Sequence, residues 1–164
     1  MKLTIFSVII KRFYKRIGFL GIAIAILPLS AIAQESNFGK LALNTSNPSG
    51  TVTGSTGGTT SLPAIVSNRD RHNKPCLGFG DPRPDHVLVL QQPFPSLSVR
   101  VRSSADTTLV IQGPDGIVRC GDATSSNKKD AVITDSNWPA GIYKVWVGTA
   151  NPGTQRDYTL TVQP

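Results

Sequence analysis

Beyond residue 33 apolar positions either alternate with polar ones or run together in short blocks. No stretch of about ten residues holds helical three-and-four spacing without Gly, Pro or Thr breaking it. The pattern predicts strands. Val87-Leu88-Val89-Leu90, within the segment Asp85 to Leu90, is a continuous apolar run suited to a strand buried on both faces. Leu97, Val99 and Val101 alternate with Ser98, Arg100 and Arg102, as a strand with one wet face requires. Thr107 to Gln112 is rich in β-formers, Gly113-Pro114-Asp115-Gly116 is a turn, and Ile117 to Cys120 returns as the second arm of a hairpin. Ala131 to Thr134, Ile142 to Val147 and the alternating Tyr158, Leu160 and Val162 complete the set.

Short strands separated by Gly and Pro turns predict an all-β fold, an antiparallel β-sandwich, over residues 62–164. Phe38 to Leu43 is expected as an edge strand within 34–61. Asn44 to Ser61, made almost wholly of Thr, Ser, Gly, Asn and Pro, reads as a loop or linker. Tyr143 and Trp146, three apart on one strand, must point to opposite faces, which puts at least one in the core.

The N-terminal segment differs in kind. Lys11, Arg12, Lys15 and Arg16 precede the apolar run Ile17 to Leu29, and Ala31-Ile32-Ala33 supplies small residues for cleavage, so 1–33 reads as a cleavable signal peptide and Gln34 as the first mature residue. An uncleaved anchor is the alternative, at the short limit for spanning a bilayer. The chain carries a formal charge of +7, but five of its seventeen basic residues lie in the signal and all ten acidic residues lie beyond it. The mature chain is left at +2, too little to argue for nucleic acid or for an anionic membrane as partner. The location expected is extracytoplasmic, periplasmic or secreted. There Cys76 and Cys120 are expected to pair, closing a loop of about 45 residues worth roughly 4 kcal/mol.

Cys76-Leu77-Gly78-Phe79, Pro84-Asp85-His86-Val87-Leu88, Gly113-Pro114-Asp115-Gly116, Cys120-Gly121-Asp122 and Gly141-Ile142-Tyr143-Lys144-Val145-Trp146-Val147-Gly148 stand in an order that resembles the bacterial pre-peptidase C-terminal domain. The similarity runs from about Pro75 to Val162 and is greatest to stand-alone exported forms of cyanobacterial type. It implies a jelly-roll-like sandwich that accompanies secreted proteases without being the catalyst. Some members of that family bind calcium through acidic loops. This chain departs from the pattern at Gly121-Asp122-Ala123, where the family carries a glycine and two aspartates.

Candidate chemistry is sparse. Asp106, Asp122 and Asp130 around the Cys120 loop are the expected ligands if calcium binds, by the preference of that ion for loop carboxylates, although most aspartates here also suit Asx turns. Only His72 and His86 could serve as a catalytic base, and no nucleophile elbow, zinc helix or phosphate loop accompanies them. The chain is therefore expected not to be an enzyme, a small secreted hydrolase being the weakest alternative. A protein or cell-envelope polysaccharide is the expected partner, met by the basic loop of Arg69, Arg71, Lys74 and Arg83 or by Trp138 as a stacking residue. A purely structural envelope protein is the competing expectation.

Overall fold

Residues 36–125 and 128–164 are described by the structure, a computed structural model. The expected signal peptide, 1–33, lies outside them. Among the described residues no helix is long and apolar enough to cross a membrane. Eleven strands occur there: β1 (Lys40–Leu43), β2 (Gly50–Ser55), β3 (Thr60–Ser61), β4 (Phe79–Gly80), β5 (His86–Leu90), β6 (Phe94–Ser103), β7 (Thr107–Gln112), β8 (Val118–Ser125), β9 (Lys128–Trp138), β10 (Gly141–Thr149) and β11 (Asp157–Gln163). A single helical turn, α1 (Leu62–Ile65), follows β3.

Two layers share one core. The first, sheet A, runs β1-β5-β10-β7-β8, and the second, sheet B, runs β9-β6-β11-β2. The β8–β9 ladder joins them along one side. Every pairing between these strands is antiparallel except β1 with β5, which is parallel in the register Lys40↔Val87 to Leu43↔Leu90. The expected edge strand therefore forms, but lies alongside its partner in the same direction. Local periodicity carries no information on strand direction.

The alternation of β6 sends Leu97, Val99 and Val101 inward, all fully buried, and Tyr158, Leu160 and Val162 of β11 do the same. They meet Leu88 and Leu90 of β5, Leu109 and Ile111 of β7 and Tyr143, Val145 and Val147 of β10. Burial of each large side chain is worth about 1.5–3 kcal/mol.

The strands β7, β8 and β10 carry apolar residues on their outer side as well. Val110, Val118, Cys120 and Trp146 point away from the main core and form a second cluster with Leu62 and Cys76. Residues 59–80 supply that cover, a strap crossing the outside of sheet A. Leu62 N–H donates to the Gly78 carbonyl (3.0 Å) and Arg71 N–H to the Val118 carbonyl (3.0 Å). The Cys76–Cys120 disulfide, 44 residues apart in sequence, bonds the strap to β8. Gly78 lies at φ 104°, flush against β7, where a Cβ would overlap the Thr108 side chain.

The expectation of a linker over 44–61 is corrected. Gly50–Ser55 is a strand that pairs along its length with β11, from Asp157↔Ser55 to Val162↔Gly50. Its inward positions are Gly50, Val52 and Gly54, and the space the glycines leave is filled by Leu41 at one and by Tyr158 and Phe38 at the other. Neighbouring strands supply the apolar bulk that β2 lacks, so residues 36–61 build one edge of each sheet.

Loss of the disulfide should free the strap while leaving the main core. Reduction, or Cys76→Ser with Cys120→Ser, is expected to lower unfolding stability by about 3–4 kcal/mol. Hydrogen exchange should then rise in 59–80 and at Trp146 well before β6 and β11. Uniform protection across both regions would show that the strap holds without the bond.

Candidate binding face

Among the described residues no strap crosses the outer surface of β6, β11 and β2 in sheet B, and the side chains there are polar. Side chains that alternate away from the core line up across three strands. The ladder registers place Arg102 beside Thr159 and Thr159 beside Thr53; Arg100, Thr161 and Thr51 form the next row, and Ser98 and Gln163 the third. Hydroxyls within the array touch: Thr51 and Thr161 Oγ1 are 3.3 Å apart, and Thr134 Oγ1 donates to Ser98 Oγ at 3.3 Å.

Two depressions of about 410 and 580 Å³ adjoin here and share Arg102 and Thr159 as a common wall. The smaller runs over Ser98, Arg100, Thr161 and Gln163. The larger continues past Thr53, Ser55 and Asp157 to Phe38. Together they form a groove along β11. Arg100 Nη1 and Arg102 Nε lie 3.7 and 3.9 Å from Asp130 Oδ2, contacts too long and too exposed to add much stability, but enough to balance part of the positive charge.

Phe38 stands at the groove's end and is 43% exposed. Its backbone is tied to the loop before β5, with Asn37 N–H donating to the Pro84 carbonyl (2.9 Å) and Phe38 N–H to that of Asp85 (2.8 Å). Its ring meets Tyr158 edge-on, centroids 6.3 Å apart, and His86 at 5.9 Å. Beneath it Tyr158 Oη and His86 Nε2 are 2.9 Å apart, both residues buried. The Asp85 carboxyl accepts Val147 N–H at 2.7 Å. Burial pushes Asp85 up to about 7, with Asp81 adding to the rise and the hydrogen bonds from Val147 and Asn37 opposing it. Burial pushes His86 the other way, down to about 4.

Of the candidate site residues singled out from sequence, only Asp130 adjoins this groove. Trp138 is not a surface stacking residue: it is fully buried in the main core, its Nε1–H donates to the Asp135 carbonyl (2.9 Å), and the Arg119 guanidinium lies 4.1 Å over its ring. Arg71 is engaged with Asp135 Oδ2 (3.4 Å) and with the Ser136 carbonyl (3.0 Å), and Arg69 donates to the Asn73 carbonyl. Lys74 and Arg83 are on the surface, the backbone N–H of each donating to an aspartate carboxylate of its own loop, Asp70 and Asp81. Arg71 thus ties this loop to β9. Asp106, Asp122 and Asp130 do not converge, and among the described residues no group of three or more His, Cys, Asp or Glu could hold a metal ion. Asp130 faces the two arginines of β6, and Asp122 accepts the Ala123 N–H.

Asp135 is the organising carboxylate that the sequence concealed. Its Oδ2 accepts Arg119 Nε at 2.8 Å and its Oδ1 lies 3.0 Å from His72 Nε2. Burial alone would raise its pKa, but the hydrogen bonds from His72, Ser136 N–H and Arg119 and the Arg71 charge outweigh burial and hold the carboxyl below its ordinary value. Arg119, itself buried, also donates to the Asn137 carbonyl (2.8 Å). Removing one partner from such a buried pair costs about 3–5 kcal/mol.

No family model matches the chain, and no curated protein matches it. Among solved structures it is similar to the pre-peptidase C-terminal domain of a collagenase from Bacillus anthracis. The two are 17% identical, the match covers 79% of this chain and 96% of that one, and the TM-score is 0.45. At that score the likeness carries no argument about function, which rests on this chain's own geometry.

The adjacent Asp85 and His86 should oppose one another in their effect on stability. Between about pH 4 and 7 the folded state holds a proton on Asp85 that the unfolded chain releases, so this contribution falls as pH rises. Between about pH 4 and 6.5 folded His86 is neutral while the unfolded chain binds a proton, so its contribution rises. The melting temperature should therefore change little across that window. In Asp85→Asn only the histidine acts, and stability should climb by up to about 3 kcal/mol from pH 4 to 6.5. Parallel melting curves for the two proteins against pH would refute the assignment.

Proposed function

We propose that this chain is an exported, non-catalytic β-sandwich module that attaches to the cell envelope, to a glycan or a protein, through the open face of sheet B. One observation carries the reading: the strap and its disulfide cover the outer face of sheet A around Val110, Val118 and Trp146, while the outer face of sheet B presents polar side chains in aligned rows. A covered face contributes stability, and an open grooved one is available for contact. The signal-like segment up to Ala33 and the disulfide both suit an oxidising compartment outside the cytoplasm.

The non-catalytic part has support of its own. His72 pairs with Asp135 and His86 with Tyr158, neither with a serine or cysteine, and both cysteines are in the disulfide. His86 is also sealed from substrate, being 1% exposed.

The test is co-sedimentation of the purified protein with an isolated envelope fraction of the source organism, in calcium and in chelator. Saturable binding that is lost in the Arg100→Glu, Arg102→Glu double variant is the expected result. Binding unchanged in that variant, or none by either protein, would overturn the reading. Dependence on calcium would call for an ion shared between protein and envelope, since Asp106, Asp122 and Asp130 do not converge, and equal binding in chelator would dispense with the metal.

A further inference from the structure

The charges on the open face decide which chemistry it suits. Arg100 and Arg102 are its cations, and Asp130 and Asp157 are the carboxylates beside them, so groove and rim carry no net charge. A polyanion would gain no overall attraction here. A protein partner would want an apolar centre rich in aromatic and aliphatic side chains, and this groove is floored by Thr and Ser with a glutamine at one end. What it does offer is a mixture of donors and acceptors at fixed spacing. Hydroxyls and the Gln163 amide both give and accept hydrogen bonds, and the Arg102 guanidinium gives several in one plane. That mixture matches the vicinal hydroxyls of a sugar, each of which also gives and accepts.

The aromatic at the far end fits the same ligand. Phe38 is half-exposed, its backbone pinned by two hydrogen bonds and its ring braced by Tyr158 and His86, so a flat apolar surface is held in place before any ligand arrives. The C–H face of a pyranose packs on such a ring. From Gln163 to Tyr158 the groove follows five residue steps of β11, about 17 Å at roughly 3.4 Å each, which suits several linked sugars better than one.

We infer that this groove binds a neutral, hydroxyl-rich polysaccharide chain, with Phe38 as the stacking platform and Arg102, Thr161 and Gln163 as hydrogen-bonding contacts. The inference rests on the reading of sheet B as the contact face and names the class of ligand it takes.

Native affinity electrophoresis of the purified protein tests it, with hydroxyethyl cellulose, dextran and galactomannan as neutral polymers and polygalacturonate as the acidic one, at low and high salt. At least one neutral polymer should retard the protein, and equally at both salt concentrations, because screening acts only on charge. Phe38→Ala and Arg102→Ala should each weaken that retardation by about tenfold; Arg102→Ala, at an exposed side chain, should leave the melting temperature unchanged, whereas Phe38→Ala also loses packing against Tyr158 and His86 and is compared well below its own, lower melting temperature. Retardation by polygalacturonate alone, lost at high salt, would overturn the inference, as would neutral retardation that neither variant changes. If no neutral polymer retards a protein that still sediments with envelope through Arg100 and Arg102, the ligand class is wrong and the contact face stands. If sedimentation fails as well, both fall.

Discussion

Burial of the outer side of sheet A is the constraint on which the rest of this molecule depends. Val110, Val118 and Trp146 make part of that side apolar too, and an apolar patch on a second face must also be covered. The inner cover is sheet B. The outer is the 59–80 strap, which has only one helical turn and two-residue strands of its own and could not hold its place by regular structure. The Cys76–Cys120 bond ties it to β8 and carries the entropic cost of ordering it.

From that arrangement the asymmetry of the two faces follows. Sheet B needs burial only on its inner side, so β6, β11 and β2 can present Arg, Thr, Ser and Gln outward with little cost to the core. Twist and register then turn alternation along each strand into rows across strands. The groove is a product of these rows, with Phe38 at its end.

Polar groups inside the fold are handled in two ways. Arg119 and Asp135 remain charged because each answers the other and backbone groups take up further hydrogen-bonding capacity. Asp85 and His86 instead sit where burial favours the neutral form of each, one gaining and the other losing a proton relative to the unfolded chain. Both arrangements lie beside aromatic rings, Trp138 in the first and Tyr158 with Phe38 in the second, so polar and apolar packing are coupled at the same positions.

The strands β5, β6, β7, β10 and β11 were legible from sequence, because their burial depends on residues within each strand. So were the turn at 113–116 and the pairing of the two cysteines. The strand β2 was not, since its inward positions are mostly glycine and the bulk beside them comes from Leu41, Phe38 and Tyr158, distant in sequence. Trp138 follows the same logic: in the chain it adjoins Pro139 in a turn, and its burial comes from Tyr143, from Phe94 opposite it in the ladder and from the Arg119 guanidinium over its ring. Sequence alone determined which segments could be strands and which of their sides face inward, since side-chain alternation is a local property. Tertiary structure decided that β1 runs parallel to β5, that Asp135 collects Arg71, His72 and Arg119, and that Arg102, Thr159 and Thr53 stand in one row, because contacts between residues far apart in the chain exist only once register and sheet order are set.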